Sequence, residues 1–434
     1  MNARMSHTQI ARYIRSGPGV AGPEANPSQV VKFAAERPDA YSSAVRHLYY
    51  RMAEAAFKGG SRANFDRYHK FVDPWLRRVD HPVSHFMSAG IDAFCAAWRA
   101  GLGDLTLDSK PSEAKAVSER IDPAAYGSGS LEELLMLVLM GQAESIWSRD
   151  AAGETFEKVR RHERHEMIAN SGWDRGALSY FNERQVESAN RDGGSSISPI
   201  PALAGSDQAI VIAMDPNFFR IYGPMVLMNA QQVREIDFVL LLCASPKESE
   251  EVTEDALVFL EGLSRLNRQP GPGHIHLHDT PVPDWVVDRT TFYACARFLA
   301  LPQLLSQYTS VYAIDADLLM RNDPAPFMKS ISGLPMSAPR NLGSISVAPW
   351  RRYMAGNFVA SSALSESPAL TDLLAYISAG LGQKQAWTLD QNALSFAIER
   401  SGSGVFSPLG DFARPTMGSN FFRRWENNYR RLAQ

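Results

Sequence analysis

The chain has 434 residues, a formal net charge of −3, and a composition that is 45% hydrophobic and 21% charged. That length accommodates two or three domains with cores of their own, and the near-neutral charge gives no basis for a nucleic-acid partner. Three cysteines, Cys95, Cys243 and Cys295, lie far apart in apolar segments, which argues against a disulfide framework or a cysteine zinc site and fits a reducing compartment.

Helical signals dominate up to about residue 190. Asn26-Pro27-Ser28 reads as a helix start ahead of QVVKFAAERP, and apolar spacing predicts further helices over 40–57, 62–78, 84–101, 111–121, 130–148 and 153–170. No 34-residue repeat is evident that would make these helices a repeat array. Within the last helix, Arg161-His162-Glu163-Arg164-His165-Glu166 resembles a zincin motif only superficially. Its histidines are three apart rather than four, so a solvated helix face is expected there. The opening MNARMSHTQIARYIRSG lacks the apolar centre of a signal peptide. No apolar run approaches the roughly 18 residues of a membrane span, so a cytoplasmic protein is expected.

The segment 191–206 (RDGGSSISPIPALAGS) is rich in Gly, Ser and Pro and reads as a linker. It divides an all-helical domain, 1–190, from a second domain, 207–434. In the second, strands and helices alternate. Strands are expected at 209–214, 238–244, 273–279 and from 311, with helices at 218–234, 253–267 and from 289. Apolar strands alternating with helices predict an α/β domain with a mainly parallel sheet covered on both faces. Ligands of such sheets bind at the carboxyl ends of the strands.

Two acidic positions fall at such ends. Asp215 follows AIVIAM, and Asp315-Ala316-Asp317 follows the strand that begins at Val311. In extended backbone, positions i and i+2 share a side, so Asp315 and Asp317 can converge on one hard divalent cation, Mg²⁺ or Mn²⁺. The plain alternative is a solvated Asp-Pro turn with helix capping. His274, His276 and His278 alternate along one strand. Ring nitrogens bonded to neighbouring groups are the better expectation there than a transition-metal site.

Four pieces of the second half, in order, form a recognisable set. They are AIVIAMDPNFFRIYGPMVLMNA, TFYACARFLALPQLL, VYAIDADLLMRNDPAPF, and MAGNFVASSAL followed by WTLDQNALSFA. In these the chain from about residue 207 resembles the GT-A nucleotide-diphosphosugar transferases. The likeness is greatest to the retaining family that includes glycogenin and the bacterial lipopolysaccharide galactosyltransferases. The resemblance implies a GT-A domain that moves a sugar from a UDP-linked donor to an acceptor with retention, using Mn²⁺ or Mg²⁺. It places Asp315 and Asp317 on the metal, Asp215 and Phe219 at the nucleotide, and Tyr293, Arg297, Ala316 and Asn357 at the nucleotide or sugar. Asp390 falls at the donor sugar and Gln391 beneath the anomeric carbon.

Two departures stand out. The family's Asn precedes its Ala-Gly pair, whereas Asn357 follows Ala355-Gly356. The family often takes a third metal ligand from a histidine near the C-terminus, but this chain has no histidine after His278, which leaves Asp411 or Asn420 as oxygen ligands in its place. Phe421-Phe422-Arg423-Arg424-Trp425 and Tyr429-Arg430-Arg431 form a basic, aromatic tail, suited either to an anionic membrane surface or to a final packed helix. An inverting transferase of the same fold, and a non-catalytic helical scaffold carrying a vestigial site, are the alternative readings.

Overall fold

A computed structural model describes residues 82–417, apart from 172–173, 190–196, 204, 234, 268–273, 321–322, 385, 403 and 412–415. The helices expected before residue 82 and the basic, aromatic tail lie outside the described residues. Two compact units make up the chain. One is helical, running up to Glu183 and including the distant segment Asn341–Arg352; the other comprises Arg184–Arg340 and everything from Tyr353.

The helical unit contains α1 (Pro82–Arg99), α2 (Pro111–Ser118), α3 (Leu131–Trp147), α4 (Arg149–Arg161) and α5 (His165–Ser171). Ser130 and Ser148 start α3 and α4 by accepting from the backbone N–H groups of Glu133 (3.0 Å) and Ala151 (3.2 Å). The single helix expected over 153–170 is broken. His162 takes extended backbone, caps the end of α4, and tucks its ring beside Glu133 at 3.6 Å. Of the solvated helix face expected for 161–166, Arg161, Glu163 and Arg164 are exposed, but 162–164 form a turn between two helices and the His162 imidazole is buried.

Leu134, Leu135, Val138, Phe156 and Val159 form the centre of the helical core, and Ile345, Val347 and Trp350 from the distant segment complete it. Trp350 is fully buried, edge-on to Phe156 at 5.7 Å, and its ring lies flat against Gly176, where an added Cβ would meet Trp350 Cγ at 2.1 Å. Arg352 is buried beside it. Its guanidinium donates to the carbonyls of Ser346 and Val347 and to Ser145 Oγ. The stem of this excursion is closed from the other unit, where Arg340 and Tyr353 pair as an antiparallel bridge.

The domain division thus differs from a single linker at 191–206. It falls at Glu183/Arg184, and the helical unit is discontinuous in sequence. The described part of the expected linker is also fastened down. Ile200 N and Leu203 N donate to the side-chain oxygens of Gln303 (2.6 Å) and Gln307 (2.9 Å), and Ser206 N donates to Asp237 (3.3 Å).

After α6 (Glu183–Ala189), the second unit is built from β1 (Gln208–Met214), α7 (Pro216–Gln232), β2 (Asp237–Leu242), α8 (Pro246–Asn267), β3 (Ile275–Asp279), α9 (Arg289–Leu299), α10 (Leu301–Leu305), β4 (Ser310–Ile314), β5 (Leu319–Met320), α11 (Ala325–Ile331) and β6 (Met336–Ala338). After α12 (Pro349–Arg352), inside the excursion, come β7 (Asn357–Ser361), α13 (Pro368–Leu381), α14 (Leu389–Arg400), β8 (Phe406–Pro408) and β9 (Thr416–Met417). Seven strands form one sheet in the order β3-β2-β1-β4-β7-β6-β8. The first four are parallel, and β7 runs against both β4 and β6.

Nearly every residue of β1, β2 and β4 is buried because helices cover both faces. Ile210, Ile212, Phe238, Leu240, Tyr312 and Ile314 face one core with α7, α8 and α11, while α9 packs on β1 from the other side. Of the three histidines of the β3 region, His274 and His278 are bonded to backbone carbonyls as the packing reading expected, while His276 stands near an acidic group without a hydrogen bond. His274 Nε2 lies 2.5 Å from Ala230 O, His276 Nε2 3.6 Å from buried Asp237, and His278 Nε2 3.3 Å from Ser198 O. Burial also pushes His278 below its ordinary value.

Removing the excursion's anchor tests the discontinuous core. Trp350→Ala should destabilise the helical unit by roughly 3–5 kcal/mol, read in denaturant unfolding. Gly176→Ala should act in the same direction, since a methyl there meets the indole ring.

Candidate functional site

Buried strand β4 ends at Ile314, and the chain leaves the sheet at Asp315 in a turn closed by Leu318 N donating to Asp315 O (3.1 Å). The Asp315 side chain is 44% exposed and that of Arg297, from the last turn of α9, only 3% exposed; Arg297 Nη1 reaches Asp315 Oδ1 at 2.7 Å. Its Nη2 donates to Asp390 Oδ2 at 3.1 Å. Asp390 comes from the first turn of α14, so three elements distant in sequence converge on one guanidinium. Such a buried cation is tolerable only with partners of opposite charge.

Asp390 is the group most perturbed by this arrangement. Burial raises its carboxyl from an ordinary 3.8 to about 6, against the pull of Arg297 and with a further push from Asp315. Its Oδ1 accepts from Gln391 N at 2.9 Å. Thr388, which leads into α14, is held at φ 70° in the left-handed region, where it is the one non-glycine among the described residues. That conformation costs a β-branched residue of the order of 1–2 kcal/mol. The turn delivers Asp390 to the buried guanidinium, and the thiol of fully buried Cys295 sits against the backbone of Asp390.

Gly356 is the closest neighbour of the D-x-D. Its carbonyl accepts from Asp315 N at 3.2 Å, and a Cβ built on it would lie 2.1 Å from Asp315 Oδ2. Only a hydrogen at this position leaves room for the carboxylate. The next residue, Asn357, pairs across the sheet with Ile314 and accepts from the Tyr312 hydroxyl at 2.6 Å. Asn357 therefore stands beside the D-x-D despite its displaced position relative to the family's Asn.

The remaining expected residues separate. Asp215 caps α7, its carboxylate accepting from Asn217 N (2.7 Å) and Phe218 N (3.0 Å). Half-buried Tyr293 on α9 lies close enough that the Asp215 charge adds to burial in raising its phenol. Phe219 and Ala316 are buried in the core on the α7 face of the sheet rather than presented at its edge. Asp317 and Gln391 are half-buried and near the surface of the turn and of α14 respectively. Asp411 ends a short 3-10 turn, Leu409–Asp411, and its side chain, like Asn420, lies outside the described residues. Strand β9 pairs with β5 immediately after the D-x-D, Leu319 opposite Met417, as a separate two-stranded sheet.

The donor set suits a hard divalent cation. Asp315 is exposed on one side, its oxygens are hard, and Asp317 lies two residues on, which fits Mg²⁺ or Mn²⁺ with positions left for other oxygens. Among the described residues, no group of three His, Cys, Asp or Glu side chains converges for a closed site.

No protein-family model and no curated protein matches this chain. Among solved structures, it is similar to the apo form of the bifunctional glycosyltransferase WbbM, with 15% identity over 55% of this chain and 46% of that one, at a TM-score of 0.33. It is also similar to the galactosyltransferase LgtC in complex with donor and acceptor sugar analogues, with 17% identity over 46% of this chain and 72% of that one, at a TM-score of 0.32. A third is the apo glycosyltransferase GlyE from Streptococcus pneumoniae TIGR4, with 16% identity over 47% of this chain and 45% of that one, at a TM-score of 0.31. The chain thus spans less than half the length of WbbM and of GlyE. These likenesses are partial, and the functional reading rests on the residues of the chain itself.

Two variants probe the geometry. Gly356→Ala should force Asp315 away from Arg297, at a cost of about 1–3 kcal/mol, visible as a lowered melting temperature in metal-free buffer. Arg297→Met removes the cation bonded to buried Asp390, at a cost of about 3 kcal/mol near pH 8. The sign with pH follows from the raised carboxyl. Folded Asp390 holds its proton more tightly than the unfolded chain does. Its contribution to stability is therefore present below about 3.8 and lost as pH climbs through about 6. The Arg297→Met penalty should accordingly shrink at pH 5, where Asp390 is protonated, as pH-dependent thermal melts of the two proteins would show.

Proposed function

We propose that this protein is a glycosyltransferase of the GT-A type that transfers a sugar from a UDP-linked donor with retention of anomeric configuration. The reading is carried by one observation, the Arg297 guanidinium joined to Asp315 of the D-x-D and to Asp390 of the D-Q-N stretch. It gathers acidic and cationic groups at the carboxyl end of a parallel strand, where ligands of such sheets bind. Asp315 and Asp317 would hold Mn²⁺ or Mg²⁺, with an oxygen from Asp411 or Asn420 completing the set. When bound, that cation neutralises the charge that develops on the departing diphosphate.

The chain's own groups serve the sugar. Arg297 keeps the Asp315 carboxylate turned to the surface and holds Asp390 in place beneath it. Asp390 can accept from donor-sugar hydroxyls, and Gln391 lies one residue on. The Gln391 amide is neutral and weakly basic, so it is a poor nucleophile and does not support a covalent glycosyl-enzyme. The consistent route is on one face of the ring. The bond from the anomeric carbon to the phosphate oxygen breaks, and the acceptor oxygen bonds to that carbon from the same side. The acceptor proton passes to the phosphate oxygen that leaves. Asp215 and Tyr293, near each other at the carboxyl end of β1 and in α9, would face the nucleotide. A cytoplasmic location, with residues 421–431 on an anionic membrane surface, belongs to the same proposal. Among the described residues no helix is long and apolar enough to cross a membrane.

The test is release of UDP from UDP-glucose, UDP-galactose and UDP-N-acetylglucosamine with Mn²⁺ present. Activity on one of them, removed by chelation and reduced about 100-fold or more by Asp315→Asn and by Asp317→Asn, is the expected outcome. Equal activity of both variants in chelator-treated buffer would overturn it. A glycosylated enzyme in the mass spectrum of the working protein would replace the one-face route with a double displacement.

A further inference from the structure

Helix α8 turns an apolar patch to solvent. Val252, Ala256 and Leu260 face the core, whereas Leu257 is 53% and Val258 71% exposed. Acidic groups adjoin the patch. Glu250, Glu251, Glu254 and Asp255 are exposed within the two turns that precede it. They fall in like-charged pairs four residues apart, 250 with 254 and 251 with 255, an arrangement that weakens a helix left to itself. None of the four pairs with a cation among the described residues. Such a face suits a segment that carries large apolar side chains beside fixed cations.

The chain contains one. Phe421-Phe422-Arg423-Arg424-Trp425 and Tyr429-Arg430-Arg431 set four aromatic rings among four arginines, with Glu426 the single acid between them. Guanidinium forks match carboxylates two bonds at a time, and the rings can cover Leu257 and Val258. The path to α8 is short. Strand β2 leads into α8 four residues on, and β4 leads into β5 five residues on, so both start from the carboxyl edge of the sheet. Strand β9, which ends at Met417, pairs with β5; β5 packs on α7, and α7 on α8. Seventeen residues follow Met417. At about 3.3 Å per extended residue they can readily cross two helices of roughly 10 Å each. Residues 1–81 also hold more Lys and Arg than Asp and Glu, but they belong to the helical unit, whereas α8 and residues 353–434 share the other.

We propose that the exposed face of α8 docks the chain's own C-terminal segment, residues 421–431. The docking stands whether or not the protein transfers sugar. It bears on the membrane role proposed above, because lipid headgroups and α8 compete for the same guanidinium groups. The protein holds the segment until an anionic surface draws it off.

In the full-length protein, Val258 is replaced by photoreactive p-benzoylphenylalanine and the cross-linked peptides are read by mass spectrometry. A cross-link within one chain to residues 421–431 is expected, lost at about 0.5 M NaCl, where charges act over only a few ångströms. Trypsin gives a second readout without the photoreactive group. Its cuts at Arg423, Arg424, Arg430 and Arg431 should quicken about tenfold in the combined variant Glu250→Lys, Glu251→Lys, Glu254→Lys and Asp255→Lys, which should also lose the cross-link. Adding Arg423→Glu, Arg424→Glu, Arg430→Glu and Arg431→Glu to that variant should bring the cross-link back, which a damaged α8 could not do. A cross-link to residues 1–81 or to a second copy names another occupant and overturns the proposal. Equal cutting before and after the charge reversal overturns it too. Phosphatidylglycerol vesicles should abolish the cross-link; if they bind the protein while it persists, the docking stands and the membrane contact lies elsewhere.

Discussion

A single buried guanidinium organises the second unit. Arg297 is 2% exposed and can reside there only because Asp315 and Asp390 bring opposite charge to it from β4 and α14. The arrangement constrains more than charge. It sets where the D-x-D turn leaves the sheet, which way the first turn of α14 faces, and how far α9 must extend before it ends. Two carboxylates share one cation, and burial of the deeper one outweighs that cation's pull, raising its carboxyl to about 6. An arrangement of this kind is costly as scaffolding, and apolar side chains of the same volume would hold three elements together with less penalty. Its presence at the carboxyl edge of a parallel strand is better explained by use than by stability.

Small residues make that arrangement possible. Gly356 gives the Asp315 carboxylate room that an added Cβ would take, and it lies in the turn directly before β7, so just past the end of β4 the carboxylate meets bare backbone. Thr388 makes the opposite accommodation, accepting left-handed backbone to turn Asp390 inward. Site geometry here depends on one position with no side chain and one that bears strain.

Much of this architecture was legible in the residues. Alternating apolar runs marked β1, β2 and β4, and the D-x-D and D-Q-N stretches both proved to belong to one cluster. Periodicity reports which face of an element is apolar, and a buried parallel strand has an unmistakable apolar run. Other features had no such signal. Asp215 could be read as a cap or as a ligand, and only backbone geometry shows it accepting from Asn217 and Phe218. The family resemblance put Phe219 at the nucleotide, but the face it occupies is the one α7 turns to the sheet. The Gly/Ser/Pro composition of 191–206 suggested a free tether; glutamine side chains of α9–α10 flanking segments hold its later half by backbone bonds that composition does not reveal. Gly356 and Thr388 were missed for the same reason. A glycine's close approach and a threonine's left-handed backbone are facts of three-dimensional neighbourhood, and the one available hint was a glycine standing directly before the expected sugar-contacting asparagine.

Trp350 gives the molecule a peculiar history. The polypeptide emerges from the ribosome amino end first, and early domains ordinarily fold while later ones are still being made. Here α3 and α4 and the bare surface at Gly176 appear long before the indole that covers them, which arrives only after β1 to β6 have been translated. The first half of the chain must therefore wait, incompletely closed, for a segment encoded inside the second. The helical unit can close only once residue 350 has been made, with the second unit still lacking β7, α13 and α14, and the interval before that is when a chaperone would find the helical unit's apolar surface open.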